Sequence, residues 1–253
     1  MNELIFRKDG ASDGFVKQQW NCIASARDNQ LRSGRDVSFT YILRPTIIQM
    51  MNGEDLSSVL DAGCGSGVLT EAIATMASHI TAIDLAEKNI EIANNSESRK
   101  SNIDYMVESI EEHSVGNKRL YSLIYANMVL QDVASIDAVA AALAVVAKEK
   151  ATFIATVTHP WFWPIYWNYH DESWFKYEEE FAVVAPYKVS GEMSSIGTTT
   201  HFHRPLGRYV EAFERKGFRV VSIEEPMPNE AAIEAYKIPW KFPRFLAMKF
   251  RYG

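Results

Sequence analysis

Between Ser58 and Thr158 short apolar runs alternate with helix-length segments, and this alternation restricts the fold more than any other feature of the chain. Ser58–Ala62, Ile80–Asp84, Ile103–Val107, Tyr121–Ala126 and Ala151–Thr158 have the length and content of strands. Leu69–Ser78, Glu87–Asn95 and the alanine-rich Asp137–Lys148 read as helices. Strands that alternate with helices predict an α/β fold with a parallel sheet covered on both faces. The pattern resumes with a helix near Leu206–Lys216 and strands at Phe218–Glu224 and Phe245–Phe250, with room for one short helix at Glu230–Tyr236.

The flanking segments have a different texture. Residues 13–52 read as two helices, with stripes at Val16, Trp20, Ile23, Ala24 and at Phe39, Ile42, Leu43, Ile47. Pro45 marks an early-turn position or a kink, and Gly53 ends the second helix. Residues 161–177 hold nine aromatics with no clean helical or strand period, and read as an insertion after the fifth strand.

A chain of 253 residues suits one large α/β domain. With 47% hydrophobic and 23% charged residues it is globular in composition, not disordered. A net charge of -6 disfavours broad capture of nucleic acid. No run approaches the roughly 18–20 apolar residues of a membrane helix, and the first residues lack a secretory apolar run. Cys22 and Cys64 make neither a disulfide framework nor a zinc site, so the chain reads as a reduced cytoplasmic protein with no membrane association.

The first strand runs into Asp61-Ala62-Gly63-Cys64-Gly65-Ser66-Gly67. Glycines here let a ligand approach the backbone, because no Cβ blocks it. Asp84 closes the next strand, where an acid accepts ribose hydroxyl protons. Dinucleotide enzymes place a third glycine where this chain has Val68. Asp61 suits a ligand that carries an ammonium group and suits a pyrophosphate poorly.

Leu60–Gly67 resembles the first motif of class I S-adenosylmethionine-dependent methyltransferases. Ile83-Asp84-Leu85-Ala86 resembles their second motif, and Val107-Glu108-Ser109-Ile110 their third-strand motif. The family usually has Asp where this chain has the longer Glu108. The resemblance implies a Rossmann-like seven-stranded sheet, mainly parallel, with the final strand antiparallel. It implies S-adenosylmethionine as cofactor and S-adenosylhomocysteine as product. The implied cofactor residues are Asp61, Gly63, Cys64, Gly65, Gly67, Asp84, Leu85, Glu108, Ser109, Ile110 and Asn127. On this reading one domain divides into an N-terminal helical lid (1–52), a cofactor-binding core (53–158), a substrate-lid insertion (159–204) and a C-terminal helix with closing strands (205–253).

In an open α/β sheet the ligand lies beyond the strands' carboxyl ends. The fourth strand ends in Asn127-Met128-Val129-Leu130, which lacks the Asn/Asp-Pro-Pro-aromatic run of enzymes that methylate base amines. The fifth ends in Thr158-His159-Pro160, where His159 is either a general base or a polar turn residue. The aromatic segment, Trp163 and Tyr166 included, is a substrate wall, a satellite core or a subunit contact. His201 and His203 alternate and so share one side of an extended chain, as a substrate clamp, a metal pair or solvent-facing polar residues; no further ligands stand out, and no metal is expected. His203-Arg204-Pro205-Leu206 resembles a C-terminal signature of small-molecule methyltransferases, which implies a pocket role for His203 or Arg204. Trp20, Arg27, Arg32, Arg35 and Tyr41 are candidates to close over the cofactor.

These readings converge on methyl transfer to an oxygen or nitrogen of a small-molecule acceptor. A protein or RNA methyltransferase, a non-enzymatic S-adenosylmethionine-binding module and an NAD-dependent oxidoreductase remain as rivals. The acceptor and the oligomeric state are open.

Overall fold

The computed structural model describes residues 5–116, 119–189, 194–237 and 239–253. After a short strand β1 (Phe6–Lys8), Ser12 caps the long helix α1 (Asp13–Arg32), with Asp13 in its first turn and Arg32 in its last, as the helix dipole favours. Gly34 turns the chain with φ 73°. A π-helical turn, Phe39–Leu43, leads into α2 (Arg44–Met50). Pro45 falls in the first turn of α2, where its missing N–H costs little.

The main sheet takes β2 (Val59–Ala62), β3 (Ile80–Asp84), β4 (Ile103–Val107), β5 (Tyr121–Asn127), β6 (Ala147–Thr158), β9 (Phe218–Glu224) and β10 (Phe245–Tyr252) in the order β4-β3-β2-β5-β6-β10-β9. The first five are parallel; β10 runs antiparallel to both β6 and β9. This is the Rossmann-like, seven-stranded topology expected above. Helices α3 (Val68–Ile73), α4 (Glu87–Asn94) and α2 pack on one face around Val59, Ile80 and Ile154. On the other face α6 (Ile136–Val146) and α8 (Leu206–Glu214), with Ile110 of α5 (Ile110–Gly116), cover Leu60, Ile124 and Phe153. Central strands are apolar on both sides because both faces are covered. Phe153 lies 4.8 Å from Phe213 and 5.7 Å from Phe250, centroid to centroid.

The structure corrects three element boundaries. Helix α3 stops at Ile73 rather than Ser78. Helix α6 stops at Val146 and β6 starts at once, so Lys148 is in the strand; Lys150, at φ 62°, absorbs the irregularity. Helix α5 was absent from the expectation, although Ser109 and Glu112 form a capping box, each backbone N–H donating to the other's side-chain oxygen.

The insertion is structured. It contains α7 (Phe162–Tyr166), β7 (Phe181–Pro186) and β8 (Thr198–His203), and β7 pairs with both β8 and β1 in a second, antiparallel sheet. Residues 1–52 are therefore not purely helical, because β1 belongs to this sheet. A short helix α9 (Glu230–Tyr236), capped by Asn229, precedes β10. Among the described residues no helix is long and apolar enough to cross a membrane.

Candidate functional site

The glycine loop leaves β2 with Gly63, Gly65 and Gly67 all at positive φ. A Cβ at Gly63 would overlap the Val129 side chain, whereas a Cβ at Gly65 would meet nothing within 4 Å. Gly63 thus permits close packing of the loop on the segment after β5, and Gly65 leaves open space for a ligand. The Gly65 N–H donates to Asp84 Oδ2 at 2.8 Å. Asp84 Oδ1 accepts from the Ala86 N–H at 2.8 Å and from Asn89 Nδ2 at 3.1 Å. Asp84 therefore braces the loop against the start of α4. A carboxylate oxygen accepts two bonds, so Oδ2 retains capacity for a hydroxyl.

Asp61 sits opposite Tyr125 in the ladder and faces α3. Its Oδ2 accepts from Thr70 Oγ1 at 2.6 Å and from the Tyr125 hydroxyl at 2.5 Å. Burial nevertheless pushes its pKa up to about 7, and raises that of Asp84 as well. Glu108 Oε2 lies 2.7 Å from His113 Nδ1, whose other nitrogen meets the Tyr121 hydroxyl. Asn127 Oδ1 accepts from Thr156 Oγ1 at 2.8 Å. Met128 follows at φ 58°, an uncommon backbone for a residue with a side chain, and its N–H is held by the Thr156 carbonyl.

Asp61, Gly63, Gly65, Asp84, Glu108, Asn127 and Met128 line one cavity of about 280 Å³ beyond the carboxyl ends of β2–β6. Its far wall comes from the aromatic segment and the second sheet: Trp163, Tyr166, Trp167, Tyr187, Thr199 and His201. Trp20 and Arg27 of α1 close another side. Arg27 is ion-paired to Asp36 at 2.6 Å. His201 Nε2 and the Tyr169 hydroxyl share a hydrogen bond of 3.0 Å, and burial pushes the His201 pKa down to about 3, so the ring is neutral. Asp132 also lines the cavity, with Gln131 and Trp20 as hydrogen-bonding neighbours; burial pushes its carboxyl well above the usual range.

Residues 59–150 match a family model described as a methyltransferase domain. A ubiquinone biosynthesis O-methyltransferase from Methylocella silvestris is 41% identical over 76 residues, which are 30% of this chain and 29% of that protein. The enzyme of the same name from Xanthomonas campestris is 33% identical over 101 residues, 39% of this chain and 42% of its own length. The match thus spans less than half the length of these curated relatives. The crystal structure of an S-adenosylmethionine-dependent methyltransferase from Mesorhizobium loti superposes with a TM-score of 0.61 at 21% identity, over 82% of this chain and 96% of that one. The chain thus shares the fold of S-adenosylmethionine-dependent methyltransferases, and its residues 59–150 match a methyltransferase domain.

For this methyltransferase-fold chain the structure brings most of the expected residues together. Asp61, Gly63, Cys64, Gly65, Asp84, Leu85, Glu108, Ser109, Ile110 and Asn127 line the cavity, as do Trp163, Tyr166 and His201. Gly67 does not; it caps α3, where a Cβ would strike the Tyr105 ring.

Three of the expected residues lie off this cavity. His159 is off the cavity: its Nδ1 accepts from the Trp161 and Phe162 N–H groups, and its Nε2 meets Glu225 at 2.7 Å. It holds the turn into α7. Arg204 is fully buried and donates to Glu180 and to the carbonyls of Leu130, Val133 and Ala134, which makes it a clamp between β8 and the β5–α6 connection. His203 stacks on Phe181 and bonds the Tyr177 carbonyl inside the aromatic layer.

Of the N-terminal candidates, Arg32 pairs with Glu71 and Asp28 and reaches the Ser66 carbonyl, fastening α1 to the glycine loop. Tyr41 is exposed and off the cavity. Asp132 and Arg244 were missed. Asp132 lies in a loop without a motif, and Arg244 reaches the site only through the β6–β10 ladder.

Proposed function

We propose that this chain transfers a methyl group from S-adenosylmethionine to an oxygen or nitrogen of a small molecule. The observation that carries this reading is the cavity that joins the glycine loop to the aromatic wall, so that methyl donor and acceptor would share one space. The donor fits the residues present. Asp61 would hold the ammonium, Asp84 Oδ2 the ribose hydroxyls, the Glu108–Ile110 segment the base, and the open face of Gly65 the backbone approach. Arg27 would meet the carboxylate. When bound, S-adenosylmethionine supplies a methyl group made electrophilic by the sulfonium.

The chain's own contribution is position and dryness. Trp163, Tyr166 and Trp20 exclude water, and the rigid ends of β5 and β6 fix the wall. Asp132 takes the place assigned above to His159: a half-buried carboxylate on the cavity wall with a raised pKa, suited to accept a proton from the attacking hydroxyl or amine. Both cysteines are free, which suits a reducing compartment.

Methyl-labelled S-adenosylmethionine tests the proposal. Incubation with hydroxylated and amino small aromatics should give label in an extractable small product, and Asp84→Ala should abolish it. Label found only in protein or RNA would move the reading to a macromolecular acceptor.

A further inference from the structure

His201 stands on β8 between the cavity and a buried chain of polar side chains. Alternation along β8 puts Thr199 and His201 together on the cavity wall. Behind His201 lies Tyr169, which is 1% exposed, stacks on Trp174 at 5.5 Å and meets Phe175 edge-on at 5.6 Å. Its hydroxyl is 3.0 Å from His201 Nε2. Trp167 meets the imidazole edge-on, with 89° between the planes. The ring is thus fixed and half-buried on the cavity wall, and its Nδ1 makes no hydrogen bond to any described residue.

The polar chain sets where the imidazole carries its proton. Arg204 is held by Glu180 and by the carbonyls of Leu130, Val133 and Ala134, and it is also hydrogen-bonded to the Tyr209 hydroxyl. Tyr209 interacts in turn with Tyr169, and Arg204, Tyr209, Tyr169 and His201 line one void of about 10 Å³. A guanidinium only donates. The Tyr209 oxygen therefore accepts, its proton is directed to the Tyr169 oxygen, and the Tyr169 proton to His201 Nε2. Burial, with His203 and Arg204 close by, keeps the His201 ring neutral. A neutral imidazole has one N–H, and with Nε2 as acceptor that N–H is on Nδ1. A single uncharged donor beside an indole suits an uncharged oxygen. Asp132, which lines the same cavity, opposes an anion there.

We propose that His201 is a specificity-determining residue whose Nδ1–H donates to a carbonyl oxygen of the methyl acceptor, a planar phenol or amine that carries an uncharged carbonyl group and lies against Trp163 and Trp167. Tyr169 is the positioning residue that fixes the tautomer. The carbonyl oxygen is not the atom methylated, because its lone pairs face the His201 donor. This assignment rests on the methyl-transfer reading of the cavity.

Long-range proton–nitrogen NMR of the isotope-labelled full chain reads the tautomer, with the His201 signals identified by their loss in His201→Asn. Nδ1 should be protonated and Nε2 should not, and Tyr169→Phe should move the ring toward the Nε2–H form. An Nε2–H tautomer in the unaltered chain would make His201 a proton acceptor and overturn the assignment. Calorimetry on the chain saturated with S-adenosylhomocysteine then compares 4-hydroxyacetophenone and 6-acetyl-2-naphthol with the alkenes in which a methylene replaces the carbonyl oxygen, and with the corresponding carboxylic acids. At least one ketone should bind, about fivefold or more tightly than its alkene and more tightly than its acid. His201→Phe should remove the preference, and His201→Asn, which keeps an N–H near the Nδ1 position, should retain part of it. Equal binding of ketone and alkene, failure of both ketones to bind, tightest binding of the acids, or a preference that survives in His201→Phe would each overturn the assignment. If His201→Phe does not fold, the tautomer and the ketone–alkene comparison on the unaltered chain still decide. If S-adenosylhomocysteine itself does not bind, the methyl-transfer reading falls, and the same two measurements without it judge His201 alone.

Discussion

Burial raises the pKa of both Asp61 and Asp84, but their partners give them different work. Asp84 is bonded to the N–H groups of Gly65 and Ala86, so it sets the loop's shape before any ligand arrives. Among the described residues Asp61 has two hydroxyl donors, both on one oxygen, and burial pushes its pKa up to about 7. An ammonium placed beside it would lower that value, so binding should release a proton. S-adenosylhomocysteine should then bind about tenfold more weakly at pH 6 than at pH 8, because a group with a pKa near 7 is mostly protonated at pH 6. Calorimetry in buffers of different ionisation enthalpy would detect the proton, and Asp61→Asn should abolish both effects.

The same shift affects folding. The native state binds more protons than the unfolded chain between about pH 4 and pH 7, so the ligand-free Tm should fall as pH rises through that window and be restored by ligand. Asp132→Asn should lower kcat by about a hundredfold and remove the rising limb of the pH–rate profile, with S-adenosylhomocysteine affinity unchanged. Loss of that affinity would instead make Asp132 part of the cofactor site.

At the scale of elements, the second sheet depends on Arg204. One guanidinium satisfies three carbonyls and a carboxylate between β8 and the β5–α6 connection. Arg204→Met should therefore destabilise the protein by about 3 kcal/mol, measured by urea unfolding, because it strands buried acceptors. A stable variant with weakened acceptor binding would return Arg204 to the pocket.

The inner parallel strands β2, β3 and β5 were legible in the sequence because both their faces are buried and their runs are mostly apolar. The second sheet was not. Its β1 has only three residues and lies far from β7 in the chain, and Phe181–Ala185 is an unbroken apolar run without the alternation of a half-exposed strand. The aromatic stretch gave no period because its rings pack on one another: Tyr169 stacks on Trp174, and Trp163 lies near Trp167.

For the whole molecule, local motifs located the glycine-loop half of the cavity, since Gly63, Gly65 and Asp84 are close in sequence as well as in space. The aromatic half is assembled from α1, α7, β8 and the residue before β10. No spacing rule connects Trp20, His201 and Arg244, and His159 looked catalytic only because strand five ends beside it. The roof over the site is tied down by contacts between distant segments, such as Arg32 with Glu71 and Asn21 with Glu87 and Lys88. Ligand binding should therefore tighten the N-terminal helix on the core, seen as slower amide exchange across residues 13–32.

Calorimetric titration of the full chain with S-adenosylhomocysteine, with NAD as the control, bears most directly on the central claim. Saturable one-to-one binding of S-adenosylhomocysteine, weakened at least tenfold by Asp84→Ala in a folded protein, and no binding of NAD, is the predicted result. Binding of NAD in its place, or an Asp84→Ala variant that binds as tightly as the unaltered chain, would contradict it.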